Sequence, residues 1–169
     1  MIPKYRISLK PINISPGEKG WDSMQLVKIL KTISSFHKVN AWYVSHVRYI
    51  GKTFDIFKEF PSDESAKAKL ITPESRLISW IEETEYFESG VFLGTKEARS
   101  IEVEHAEGFW TEDEEWRDIL DAVIEIRAFD TSYYEIYSSD LELLKSIIAK
   151  LPATKVAVET NPNFSINMN

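Results

Sequence analysis

Residues 122–129 and 132–138 are two strand-forming runs with little more than Asp130 and Thr131 between them. So short a connection permits one arrangement. Parallel strands need a crossover of a dozen or more residues, so these two must run antiparallel. On the second run Tyr133, Glu135 and Tyr137 fall on one face, and Tyr134 and Ile136 fall on the other. With Tyr134 and Ile136 turned inward, two tyrosines flanking a carboxylate are displayed together. Tyrosine buries much area at low entropic cost, so such a trio suits protein binding. The plainer reading is that a helix covers this face.

The rest of the chain follows the same punctuation. Tyr5, Ile7 and Leu9 alternate with Lys4, Arg6 and Lys10, a strand with one basic face. Residues 11–20 are rich in Pro, Gly and Ser and read as a loop. Asp22 is placed to cap a helix whose core stripe is Leu26, Ile29, Leu30, Ile33 and Phe36. Residues 41–50 and 53–57 read as a hairpin turned at Gly51-Lys52, and 61–69 as a polar loop or short helical piece. Thr72 followed by Pro73 predicts a helix start, with Leu77, Ile78 and Ile81 inward and an end near Glu85. A second hairpin is expected at 90–94 and 99–105, its first strand bracketed by Gly90 and Gly94. Thr111 and Glu114 form a capping box for a helix burying Trp116, Ile119 and Leu120. Ser139 and Glu142 form another, for a helix with Leu141, Leu144, Ile148 and Leu151 inward, stopped by Pro152. Val156–Val158 supplies a last strand, and a polar, Asn-rich tail is expected to fray from about residue 161. Short turns between strands, with helices interspersed, predict an α+β class. The expectation is a single domain over 1–169, an antiparallel sheet with helices packed on one face.

Its 169 residues suffice for one well-buried core. With no cysteine, disulfides and cysteine–zinc sites are excluded, which fits a cytoplasmic protein. The opening MIPKYRISLK lacks the apolar stretch of a signal peptide, and no run approaches a membrane span. Charge is lopsided. From Glu82 to Glu125 fifteen acidic residues face three basic ones, whereas the first sixty residues carry ten Lys and Arg against four acids. A net charge of −7 argues against general binding of nucleic acid or anionic membrane. The dense acidic stretch repels itself, so it is either solvated surface or the docking site of something cationic.

The helix dipole accounts for Glu112, Asp113 and Glu114 in a first turn, each worth about 0.3–1 kcal/mol. It accounts less well for Glu115 and Asp118, and not for Glu102, Glu104, Glu107 or Asp121. An electrostatic surface for a basic protein accounts for them all. Metal binding is disfavoured. Glu102 and Glu104 share a strand face but His105 points away, and His37 and His46 have no partner at ligand spacing. No Gly-x-Ser-x-Gly elbow or glycine-rich phosphate loop is present, so no catalytic residue and no cofactor is assigned. No carboxylate pair stands out for acid–base work.

The stretch IEIRAFDTSYYEIYSSDLELL, Ile124 to Leu144, resembles segments of small acidic bacterial immunity proteins that accompany polymorphic and contact-dependent growth-inhibition toxins. That class has no shared active-site motif, so the resemblance carries over no functional residue. It implies a role: a cytoplasmic, non-enzymatic protein that binds one cognate toxin domain and blocks it. Where the toxin is a nuclease, an acidic surface competes with phosphate for its basic cleft. The expected contact set is Glu112, Asp113, Glu115 and Asp118, supported by Tyr133, Glu135 and Tyr137. The alternatives are a small carboxylate-based enzyme or ligand-binding domain, metal-dependent in one form, and a module that dimerises through a sheet edge.

Overall fold

In chain order the computed structural model has β1 (Tyr5–Pro11), α1 (Ser23–Phe36), β2 (Ala41–Gly51), β3 (Lys69–Ile71), α2 (Glu74–Glu82) and β4 (Thr84–Thr95). There follow β5 (Ala122–Phe129), β6 (Tyr133–Ser138), α3 (Leu141–Lys150), β7 (Thr154–Thr160) and a 3-10 turn at Pro162–Phe164. It describes residues 2–11, 23–51, 68–97, 111, 115–119, 121–151 and 154–164. The seven strands form one antiparallel sheet in the order β3-β2-β4-β5-β6-β1-β7. The β5–β6 hairpin forms where the sequence predicts it. Asp130 and Thr131 take φ of 43° and 53°, the left-handed values that fit the right-handed twist of a tight hairpin.

The three helices lie on one side, so the molecule is an α+β domain with its main core between them and the sheet. Alternation decides which side chains enter that core. Ile7 and Leu9 of β1, Tyr134 and Ile136 of β6, Ile124 and Ile126 of β5, Phe92 of β4, and Trp42 and Val44 of β2 all face the helices. Leu26, Ile29, Leu30 and Ile33 meet them from α1, as expected. Phe36, expected in that stripe, is 45% exposed at the end of α1. The α3 stripe is rotated toward Leu143, Leu144 and Ile147, with Ile148 only partly buried.

Several expectations need correction. The N-cap of α3 is Asp140 rather than Ser139, and its carboxylate accepts from the Leu143 N–H at 3.0 Å. Ser139 Oγ instead donates to the Ile2 carbonyl at 3.1 Å. Pro73 occupies the N-cap of α2 with no side-chain cap, and that helix ends at Glu82. Gly90 and Gly94 lie within a twelve-residue strand rather than bracketing a short one. Both edges of β4 over 91–94 are occupied, by β2 and β5, and the hairpin partner expected at 99–105 lies outside the described residues. So do Asp22 and the strand expected at 53–57. The three-residue β3 begins at Lys69, the last residue of the segment read as loop or helix. Asn161, where fraying was expected to begin, is buried; its amide and side chain donate to the Lys4 and Pro3 carbonyls, both at 2.9 Å.

Candidate functional site

The sheet face opposite the helices is built differently. At the β2–β4 end a small apolar cluster gathers Ala41, Tyr43, Val91 and Leu93 under Ile119. Across β5, β6, β1 and β7 the same face is charged. Register places Arg6 opposite Tyr137 on one side and Glu159 on the other, and Glu125 opposite Tyr137. Residues on one face of neighbouring strands meet, so this row of acids, bases and one tyrosine becomes a network.

Arg6 is its hub. Nη1 lies 2.5 Å from Glu115 Oε1 and 3.6 Å from Glu135 Oε1, and Nη2 binds Glu159. Nη1 also donates to the Tyr137 hydroxyl at 3.4 Å, and that hydroxyl donates to Glu135 Oε2 at 2.7 Å. A second centre is Glu125, which accepts from Arg117 at 2.5 Å and from Arg127 Nε at 2.8 Å. Arg127 Nη1 reaches the Thr111 carbonyl at 3.2 Å. Trp116 packs edge-on against Tyr137, with centroids 5.6 Å apart, and the Arg6 and Arg127 guanidiniums lie over the Tyr137 ring at 5.9 and 4.8 Å. Burial works against the charge on Arg6, but the hydrogen bonds to Tyr137, Glu115 and Glu159 outweigh it and raise its pKa. Arg127 is likewise raised, burial being overcome by Glu125. Tyr137 is pushed up chiefly by burial.

The expected helix over 111–120 is not what the described part of that segment forms. Glu115 and Trp116 make a turn and residues 117–119 run without regular structure. Trp116 has φ of 63°, outside the helical range. The segment lies on the open face, where Ile119 caps the apolar cluster, Trp116 packs on Tyr137, Arg117 binds Glu125 and Glu115 binds Arg6. Four tertiary contacts thus outweigh the local propensity set by Thr111 and Glu114.

The expected contact residues are therefore divided. Glu115, 54% exposed, and Asp118, also exposed, stand at the surface. Tyr133 is half-buried at the hairpin end, stacked on Phe129 at 4.7 Å with Lys10 Nζ 4.7 Å over its ring. Tyr137 is fully buried and Glu135 is 13% exposed, so neither is displayed. The segment carrying Trp116, not a helix, covers Tyr137. Glu112 and Asp113 lie outside the described residues. Sequence reading did not single out Arg6, Arg117 and Arg127. The signal for Arg6 was the basic face of the first strand, Lys4, Arg6 and Lys10.

The acidic stretch is not one patch. Glu82 and Glu83 precede β4 and Glu97 follows it, so the twelve residues of β4 separate them by roughly 35–40 Å at ~3.3 Å per residue. Among the described residues no group of three His, Asp or Glu is arranged to hold a metal. Among them also, no helix is long and apolar enough to cross a membrane. No family model, curated protein or solved structure matches the chain.

Proposed function

We propose that this chain is a non-enzymatic binding protein that neutralises a cognate toxin domain by occluding a cationic cleft. Glu115 carries the reading. Its carboxylate is anchored by Arg6 yet half-exposed, on the open face beside the exposed Asp118. A side chain already held loses less rotamer freedom on docking. Fixed surface carboxylates steer a basic partner and speed its association. Tyr133, stacked on Phe129 at the nearby hairpin end, adds rigid aromatic area. The resemblance of Ile124–Leu144 to immunity proteins supports the same role, acting in the cytoplasm on a toxin such as a nuclease. In this reading Glu135 and Tyr137 brace the surface from below. The competing idea of a carboxylate-based enzyme is weakened because Glu125 and Glu135, the carboxylates sunk in this face, are already engaged by arginines and Tyr137.

The test is co-expression with the polypeptide encoded in the adjoining upstream reading frame. That polypeptide should arrest growth alone, and this chain should restore growth and co-purify with it. A harmless neighbour, or arrest that persists with no complex formed, rejects the proposal.

A further inference from the structure

Strand β7 forms one edge of the sheet, pairing among the described residues with β1 alone. Residues 155–160 are all exposed, with Val156 at 36% and Val158 at 54%. Register puts Val158 opposite Ile7 and Val156 opposite Leu9, so both valines stand on the helix side of the sheet, beyond the cover of α3. Among the described residues the backbone is equally unpartnered on that edge. The Asn161 N–H donates to the Lys4 carbonyl, toward β1. By alternation along the strand, the N–H and C=O groups of Val156, Val158 and Thr160 point outward. A seven-residue edge whose outward backbone groups meet no other described strand, and which carries two exposed valines, is a template for another strand.

The sequence of that edge says which strand fits. TKVAVET is self-complementary about Ala157. If two copies pair antiparallel with Ala157 against Ala157, Val156 faces Val158 of the partner subunit and Lys155 faces Glu159 of the partner subunit. The threonines at the ends face each other. The register is allowed, because outward-pointing residues then meet outward-pointing residues. It also relieves a conflict within the chain. Lys10 lies directly opposite Lys155, a like-charge pair that disfavours the β1–β7 ladder. The partner's Glu159 brings a carboxylate to the other side of Lys155.

We propose that β7 is a homodimerisation edge, joining two copies through an antiparallel pairing centred on Ala157 into one continuous sheet. Such an interface is isologous, so it closes at two copies rather than growing into fibres. One strand pair is small for a stable interface, so the dissociation constant is expected on the order of 10–100 µM. This inference stands apart from toxin binding, since dimerisation is measured on the chain alone.

Sedimentation of the full chain over a concentration series tests it, with hydrogen exchange as a second readout. The wild type should pass from monomer to dimer. Amides of Val156, Val158 and Thr160 should gain protection as it does, whereas those of Ala157 and Glu159, already bonded to β1, should change little. Val158→Pro removes an outward N–H that β1 does not use and should stay monomeric. Lys155→Glu, an exposed change that spares the fold, should weaken the dimer about tenfold at low salt. A wild type still monomeric near ~1 mM, the edge being left for a strand from elsewhere, overturns the proposal. So does a dimer that both substitutions leave intact.

Discussion

Arg6 on the first strand and Glu115 in the segment after β4 meet at 2.5 Å, and that pair holds a stretch of irregular chain against the open face of the sheet. Arg6 is nearly buried and faces Glu115, Glu135 and Glu159 together. Removing its charge leaves three carboxylates crowded with no hub. Arg6→Met should therefore cost about 1–3 kcal/mol in urea unfolding, because Glu135 is left nearly buried without its cation while Glu115 and Glu159 stay half-exposed. Adding Glu115→Gln should recover about 1 kcal/mol, because one of the stranded charges is gone. A loss below ~0.5 kcal/mol in the single variant would mean the network is solvated rather than structural.

Asp140 joins two helices at one point. It caps α3 through the Leu143 N–H and lies 2.8 Å from His37 Nε2 beyond the end of α1. The cap bond first, and His37 second, hold its carboxyl below the ordinary carboxylate range. A lowered folded pKa contributes stability that is present above the unfolded value near ~4 and is lost as pH falls through the folded one. Asp140→Ala should cost about 1 kcal/mol at neutral pH. Asp140→Asn should keep much of the cap but flatten the acid limb of the stability curve. An acid limb unchanged in Asp140→Asn would assign that limb to other carboxylates.

Alkaline pH tests the buried tyrosines. Burial pushes Tyr49 up to about 12, and Tyr137 is raised as well. Here the sign reverses. The protonated form is favoured in the fold, so stability is complete below the unfolded value near ~10 and falls as pH rises toward the folded one. Tyr49 alone should account for a loss of about 2 kcal/mol between pH ~10 and ~12. The denaturation midpoint should drop over that window, and Tyr49→Phe should reduce the drop. A midpoint that stays flat to pH ~12 would show that these hydroxyls titrate alike in both states.

What the sequence disclosed was local. The β5–β6 hairpin is written in adjacent residues, its turn needing only two positions at positive φ. The buried stripe of α1 follows from helical spacing, with Phe36 missed because the stripe outruns the surface it packs on. The capping box at Thr111 and Glu114 carried the same kind of local signal. It was overruled by Arg6, Tyr137 and Glu125, which reach residues 115–117 only through sheet register. Strand order was illegible for the same reason, as nothing local announces that β1 lies between β6 and β7. The acidic block misled because closeness in sequence is not closeness in space when a twelve-residue strand intervenes.

Gly94 shows a constraint of that non-local kind. A Cβ there would sit 3.0 Å from Ile124 Cγ2 and 3.2 Å from the Trp42 ring. Trp42 is fully buried, so it has little freedom to retreat. Gly94→Ala should destabilise by about 1–3 kcal/mol through overpacking. Removing the crowded methyl with Ile124→Ala should return part of that loss in a double-mutant cycle. Additive effects of the two changes would place the strain elsewhere.

The proposed contact surface makes a kinetic prediction, and the network dictates which residue can test it. Glu115→Lys is a poor probe, since it sets a cation beside Arg6 and should cost stability before it touches binding. Asp118 stands exposed on the same segment, three residues further on. Asp118→Lys should slow association with the toxin domain about three- to tenfold at low salt, leave dissociation nearly unchanged, and lose its effect near ~0.5 M salt. Tyr133→Ala removes the ring stacked on Phe129 and should act the other way, raising the dissociation rate about tenfold with association unaltered. The two together separate steering from holding. Association kinetics indifferent to Asp118→Lys at low ionic strength would take this face out of the interface, whatever its charge.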